Sequence, residues 1–185
     1  MRPIRSLAFA CLVVTAAVTV SAPRPARAES GAQLARSSAA ALNTLCAKQQ
    51  VAKLLRQKAK AILVFPSIVK AGFMFGGQIG EGTLIRNGRA IAFYSSVAAS
   101  YGFQAGIQTF GYALFFMNEA ALANLDASAG FEIGVGPSIV VMDEGMGRSV
   151  TTSTVLSDVY AFIFSQRGLM GGVGVQGSKI TRIEK

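Results

Sequence analysis

Glycine recurs through this chain in a register that few folds tolerate. Four segments align without gaps: GGQIGEG from Gly76, GFQAGIQ from Gly102, GFEIGVG from Gly130 and GLMGGVG from Gly168. All carry glycine at the first and fifth positions; three carry it at the seventh, where the second segment has Gln108. Side chains alternate faces along a strand. Gly76, Gln78, Gly80 and Gly82 therefore share one face, and Phe75, Gly77 and Ile79 share the other. The other segments divide in the same way, into an apolar face and a bare one. Glycine inside a strand costs about 0.5–1 kcal/mol relative to alanine, so the series needs a compensating use. Two uses stand open. Glycine lets a sheet curl tightly beneath a packed helix, or it lets a ligand approach bare backbone. A phosphate loop is not among them: no G-x-G-x-x-G lies between a strand and a helix, and no Gly-Lys-Ser/Thr follows.

The surrounding pattern supports an α+β class, with an N-terminal helical segment packed on a glycine-rich, mainly antiparallel curved sheet or barrel-like core. Ser30 to about Lys60 is rich in Ala, Leu, Gln, Lys and Arg and has no Pro, and after Gly31 no Gly. Leu34, Ala41, Leu45, Ala52 and Leu55 fall on one stripe at helical spacing, which fits one bent helix or two shorter ones. AILVF (61–65) reads as a short buried strand closed by Pro66. Phe73 to Arg86 alternates and meets Asn87-Gly88, a strong hairpin signal with its partner strand from Arg89. Asn118 to Leu125 reads as a short helix capped by Asn118. Gly130 to Met142 returns to strand before the turn-like DEGMGR, and Arg167-Gly168 interrupts the last strand region.

The N-terminus reads as a separate unit. MRPIR is basic, SLAFACLVVTAAVTV is apolar, and Ala26-Arg27-Ala28 is a small-x-small site. This predicts a secretory signal over 1–28 and a single domain over 29–185, helical to residue 60 and β-rich beyond it. An uncleaved anchor and lipidation at Cys11 are the alternatives. Cleavage removes four arginines, leaving fourteen basic residues against nine acidic ones, a net charge of +5. Cys46 alone then remains, so no internal disulfide forms, and a small buried side chain is expected there.

Catalysis finds little to work with. The chain has no histidine and no tryptophan, which removes His-dependent nucleophile and zinc arrangements. The nine acidic residues are scattered, with Asp143-Glu144 the only adjacent pair. No enzyme activity, cofactor, metal or nucleic-acid partner is expected. The charge instead concentrates in KQQVAKLLRQKAK: Lys48, Lys53, Arg56, Lys58 and Lys60, followed by Lys70. A solvated helix face is the plain reading of that cluster.

Four stretches, AKAILVFPSIVKAGFMFGGQIGEGTLI, YGFQAGIQ, FFMNEAALANL and SQRGLMGGVGVQGSKI, occur in an order that resembles the SYLF domain family over about Ala39–Ile183. The resemblance implies binding of phospholipids or anionic membrane surfaces through a basic amphipathic N-terminal segment, here Lys48–Lys60 with Lys70. Apolar insertion would come from Leu54, Leu55 or the Phe73/Phe75 region. Some family members also bind actin, which an exported chain does not meet in its own cell. The expectation is a lipid-binding protein of the bacterial envelope, in the periplasm or associated with the outer membrane. A structural or host-facing interaction module and a small outer-membrane β-barrel are the alternatives.

Overall fold

The computed structural model describes residues 29–126, 131–132, 139–142 and 157–185. Two helices come first, α1 (Gly31–Lys48) and α2 (Gln50–Lys58). Ser30 caps α1, its side chain accepting from the Gln33 N–H at 3.3 Å. The helical segment thus breaks once, at Gln49, whose extended backbone (φ −121°, ψ 110°) reorients the chain. Three very long strands follow: β1 (Ala61–Arg86), β2 (Arg89–Phe116) and β5 (Val159–Ile183). Between β2 and β5 lie α3 (Glu119–Asp126), β3 (Phe131–Glu132) and β4 (Ile139–Met142). The sheet order is β1-β2-β5-β3, with β4 parallel to β5 and the other pairs antiparallel. Among the described residues the sheet does not close, because β1 and β3 pair on one side only.

A straight strand of 26 residues would extend about 85 Å, nearly three small-domain diameters. The sheet instead doubles over. The first arm of β1 pairs with the end of β2 (Ala61↔Phe116), and its second arm pairs with the start of β2 (Arg86↔Arg89). Leu63, Phe65 and Ile68 of the first arm share one core with Leu84 and Tyr94 of the return arm and with Ile180 of β5. The corner lies at Met74, which takes φ 60° where the β1–β2 register shifts between Phe73 and Phe75.

Here the glycines find their use. A Cβ on Gly82 would stand 2.6 Å from Phe65 Cδ1 and 2.7 Å from the Val64 carbonyl oxygen. One on Gly80 would stand 2.7 Å from Ile68 Cγ1 and 2.9 Å from the Ser67 carbonyl oxygen. The bare face turns inward, where the strand packs on its own first half. The opposite face of the same arm turns outward, leaving Phe75 and Ile79 exposed. Gly106 (φ 139°) and Gly168 (φ 87°) oppose the neighbouring strand so closely that a side chain would strike Leu169 and Ile107 backbone.

Helix α1 clamps the seam. Ser38 is fully buried; its hydroxyl donates to the Val64 carbonyl oxygen at 3.2 Å and lies 3.1 Å from Thr83 Oγ1. One side chain thus bridges both arms of β1. A second core on the outer face of the first arm joins Leu42, Leu45, Cys46, Ala52 and Leu55 to Val64, Phe115 and Phe162.

Several expectations change in detail. Pro66 does not close a strand. It sits inside β1 at a register shift between Phe65 and Ile68, and β1 is an edge strand on which a missing N–H costs no ladder bond. Arg167-Gly168 does not interrupt β5, because glycine takes a backbone that keeps the strand paired. Leu42 is buried although it lies off the expected stripe, because α1 packs on two arms of β1. The Asn87-Gly88 hairpin forms with both φ positive (51° and 75°). Asn118 caps α3, its Oδ1 accepting from the Ala121 N–H at 2.7 Å. Cys46 is buried and free. The expected signal segment, the DEGMGR turn and most of the third glycine segment lie outside the described residues.

Candidate functional site

The basic cluster is built on α2. Val51, Ala52 and Leu55 bury one face of this helix against the sheet, which leaves Lys53, Arg56 and Lys58 in solvent. Arg56 and Lys58 lie in the last turn, where cations complement the partial negative charge of the helix terminus. Lys48 ends α1 and is exposed. Lys60 stands beyond the helix, its backbone N–H donating to the Phe116 carbonyl at 2.8 Å. Arg56 Nη1 donates to Asn43 Oδ1 at 2.8 Å, which orients the guanidinium without neutralising it. The three ion pairs among the described residues are Arg86–Glu119, Arg182–Asp126 and Lys185–Glu81, and none involves this cluster.

Arg56 and Lys60 meet at a small cavity of about 160 Å³, floored by Leu42, Ile62 and Ile85 and closed by the Asn87-Gly88 turn. That cavity brings together the start of β1 and the tip of the hairpin, so both ends of the doubled sheet lie at one pole. Beside it, burial pushes the Cys46 thiol above its ordinary pKa, opposed by a hydrogen bond from Arg56 and the charges of Arg56 and Lys53.

Phe73 and Phe75 are elsewhere. Phe73 is 77% exposed and Phe75 70% exposed, at the corner of the sheet. From Lys60 to Phe73 the path along β1 is about 40 Å, and from Arg89 to Tyr101 along β2 it is again about 40 Å. Both paths end together, since the Phe75 and Tyr101 rings lie 5.0 Å apart. The expected site residues therefore divide into a basic pole (Lys48, Lys53, Arg56, Lys58, Lys60) and an apolar pole (Phe73, Phe75). Lys70 lies on the arm leading to the second pole, half-buried. Leu55 is only 2% exposed and is part of the core, so it supplies no inserting side chain.

Sequence reasoning missed the rest of the apolar pole. Met74, Tyr101, Ile107 and Leu169 are exposed around Phe73 and Phe75, with Leu169 at 89%. One signal was available. Segments 66–80, 95–111 and 165–178 contain no Asp or Glu. Three acid-free strand segments rich in apolar residues are what a common apolar surface requires, but only the register shows that they are neighbours.

These features define an α+β domain on a doubled-over antiparallel sheet, clamped by a helix, with one basic and one apolar pole. Residues 97–185 match the Ysc84 family, described as Las17-binding protein actin regulator. The match covers a little under half of the chain and agrees with the SYLF resemblance of its motifs; it suggests a lipid-binding or actin-regulating role in general. No curated protein matches the chain.

Proposed function

We propose that this protein is a non-enzymatic phospholipid-binding protein of the bacterial envelope that docks on anionic membranes through the basic pole. One observation carries the reading: five cations, Lys48, Lys53, Arg56, Lys58 and Lys60, are exposed at the α2 end of the domain, without an acidic partner among the described residues. The SYLF match supports lipid as the ligand class. The expected export signal supports the envelope as its place. Each basic residue near an anionic surface contributes roughly 1 kcal/mol, so the five give at most about 5 kcal/mol, reduced by salt. Such docking is weak, reversible and electrostatic. Among the described residues no helix is long and apolar enough to cross a membrane.

Liposome flotation tests this. Vesicles of phosphatidylglycerol and phosphatidylcholine should carry the protein at low salt and lose much of it at high salt. Lys53→Glu/Arg56→Glu/Lys60→Glu should weaken binding strongly. Binding indifferent to the triple substitution would refute docking through α2. Co-sedimentation with filamentous actin, run in parallel, tests the actin role that the family description carries.

A further inference from the structure

The apolar pole has no role in electrostatic docking, yet its composition and register are ordered. Counting outward along the sheet, the strand rows read Val69–Thr109–Arg167, then Lys70–Gln108–Gly168, then Ala71–Ile107–Leu169. Beyond them stand Phe73, Met74 and Phe75. On the return arm the row Ile79–Val97–Lys179, which β3 continues with Glu132 opposite Lys179, leads back to the body. Cations thus stand at the neck of the corner on both arms: Arg167 and Lys70 on one, Lys179 on the other. Every row beyond them carries apolar, glycine or uncharged polar residues. All nine acidic residues of the chain lie outside segments 66–80, 95–111 and 165–178. Long basic side chains at the edge of an apolar surface place their charge at headgroup level while their stems stay in the apolar layer. Aromatic rings with a polar atom, such as Tyr101, favour the same boundary.

We infer that this corner is a second membrane-contacting element, which inserts into the hydrocarbon of a bilayer other than the one on which α2 docks, so that the protein bridges two bilayers. The inference rests on the α2 docking proposed above. Its occupant is lipid because the charge pattern is complementary: an acid-free apolar tip with Lys70, Arg167 and Lys179 at its neck, and only Glu132 beside Lys179, matches a hydrocarbon layer beneath anionic headgroups. The second bilayer follows from the geometry, since the two poles are separated by about 40 Å of strand on each of two paths.

The chain has no tryptophan, so Tyr101→Trp provides a single fluorescent reporter at the corner. On adding phosphatidylglycerol/phosphatidylcholine vesicles, its emission should shift to the blue and be quenched by lipids brominated on the acyl chains, and wild type should cluster the vesicles in light scattering. Phe73→Ser/Phe75→Ser/Leu169→Ser changes only exposed side chains and should keep the wild-type urea midpoint. It should still float at low salt through α2, while clustering falls by about a hundredfold or more, the scale expected when three large apolar side chains no longer leave water. Failure of the wild type to float at all would overturn the proposed docking and this inference with it. Flotation without a blue shift would overturn the inference alone. A blue shift without clustering would show both poles on one bilayer and overturn bridging. A lipid-free dimer of wild type that the serine variant abolishes would show that a second copy covers the corner, and would likewise overturn it.

Discussion

Replacing Gly82 by alanine should destabilise this protein, although the same change in an ordinary strand stabilises. The added Cβ would lie 2.6 Å from Phe65 Cδ1, where ordinary contact begins at 3.4 Å, a shortfall of 0.8 Å. It would also lie 2.7 Å from the Val64 carbonyl oxygen. The Phe65 ring is fully buried and the carbonyl is backbone, so neither can swing aside. The two arms of β1 must separate. Overpacking of this kind costs about 1–3 kcal/mol, against about 0.5–1 kcal/mol gained by removing a strand glycine. The net loss is up to about 2.5 kcal/mol, which lowers Tm by up to roughly 10 °C in a chain of this size. Gly77→Ala is the control, because its nearest heavy atom is the Ala98 carbonyl oxygen at 3.9 Å. It should be neutral or gain up to about 1 kcal/mol. Urea unfolding of both variants beside wild type gives the comparison. If Gly82→Ala matched or exceeded wild type while Gly77→Ala did the same, the arms of β1 would not be in close contact and the doubled sheet would be wrong.

Two further outcomes follow from the core. Ser38→Ala removes the hydroxyl that bonds Val64 and Thr83 across the seam, leaving a buried carbonyl and hydroxyl short of a partner; it should cost about 1–3 kcal/mol in the same urea assay, and Ser38→Thr should restore part of it. Burial raises the Tyr112 hydroxyl above its ordinary pKa of 10.0, and burial together with the hydrogen bond to Asp126 does the same for Tyr94. The folded state then holds these protons more tightly than the unfolded chain, so stability is intact below about pH 10 and falls as pH rises above it, by up to about 1.4 kcal/mol per pH unit for each group. Tyr112→Phe should flatten that decline in urea midpoints measured from pH 9 to 11; an unchanged slope would show that Tyr112 does not drive it.

Much of the local structure was legible in sequence because it depends on local chemistry. Asn87-Gly88 makes its hairpin because Gly88 and Asn87 accept positive φ. Asn118 caps α3 through its own side chain. The break in the helical segment and the burial of Cys46 also agree with the reading of the residues. Strand limits were less legible, because Pro66 is tolerated inside β1 at an edge and a shift of register, and Gly168 inside β5 by a positive φ that keeps it paired. Neither condition is visible in the order of residues.

The candidate site shows the same division. The basic face of α2 was legible, since helical spacing separates Lys53 and Arg56 from Val51, Ala52 and Leu55. Lys60 falls on that face by helical spacing from Lys53 and Arg56, but the helix ends at Lys58, and Lys60 meets Arg56 at the cavity beside the hairpin tip. Phe73 and Phe75 were singled out beside the basic cluster because they follow it in the chain; the sheet carries them to the opposite pole.

By itself, the sequence determined that the chain makes helices and then long glycine-bearing strands, that charge gathers on α2, and that alternating faces are apolar and bare. It did not determine which face is inside. Alternation says only that two faces differ, and burial of the apolar one would be the ordinary choice. The tertiary structure reverses it at the corner, because a strand folded onto its own first half leaves no room for side chains between its arms. Glycine turns inward for that steric reason, and the apolar side chains opposite it, Phe75 and Ile79, are left at the surface.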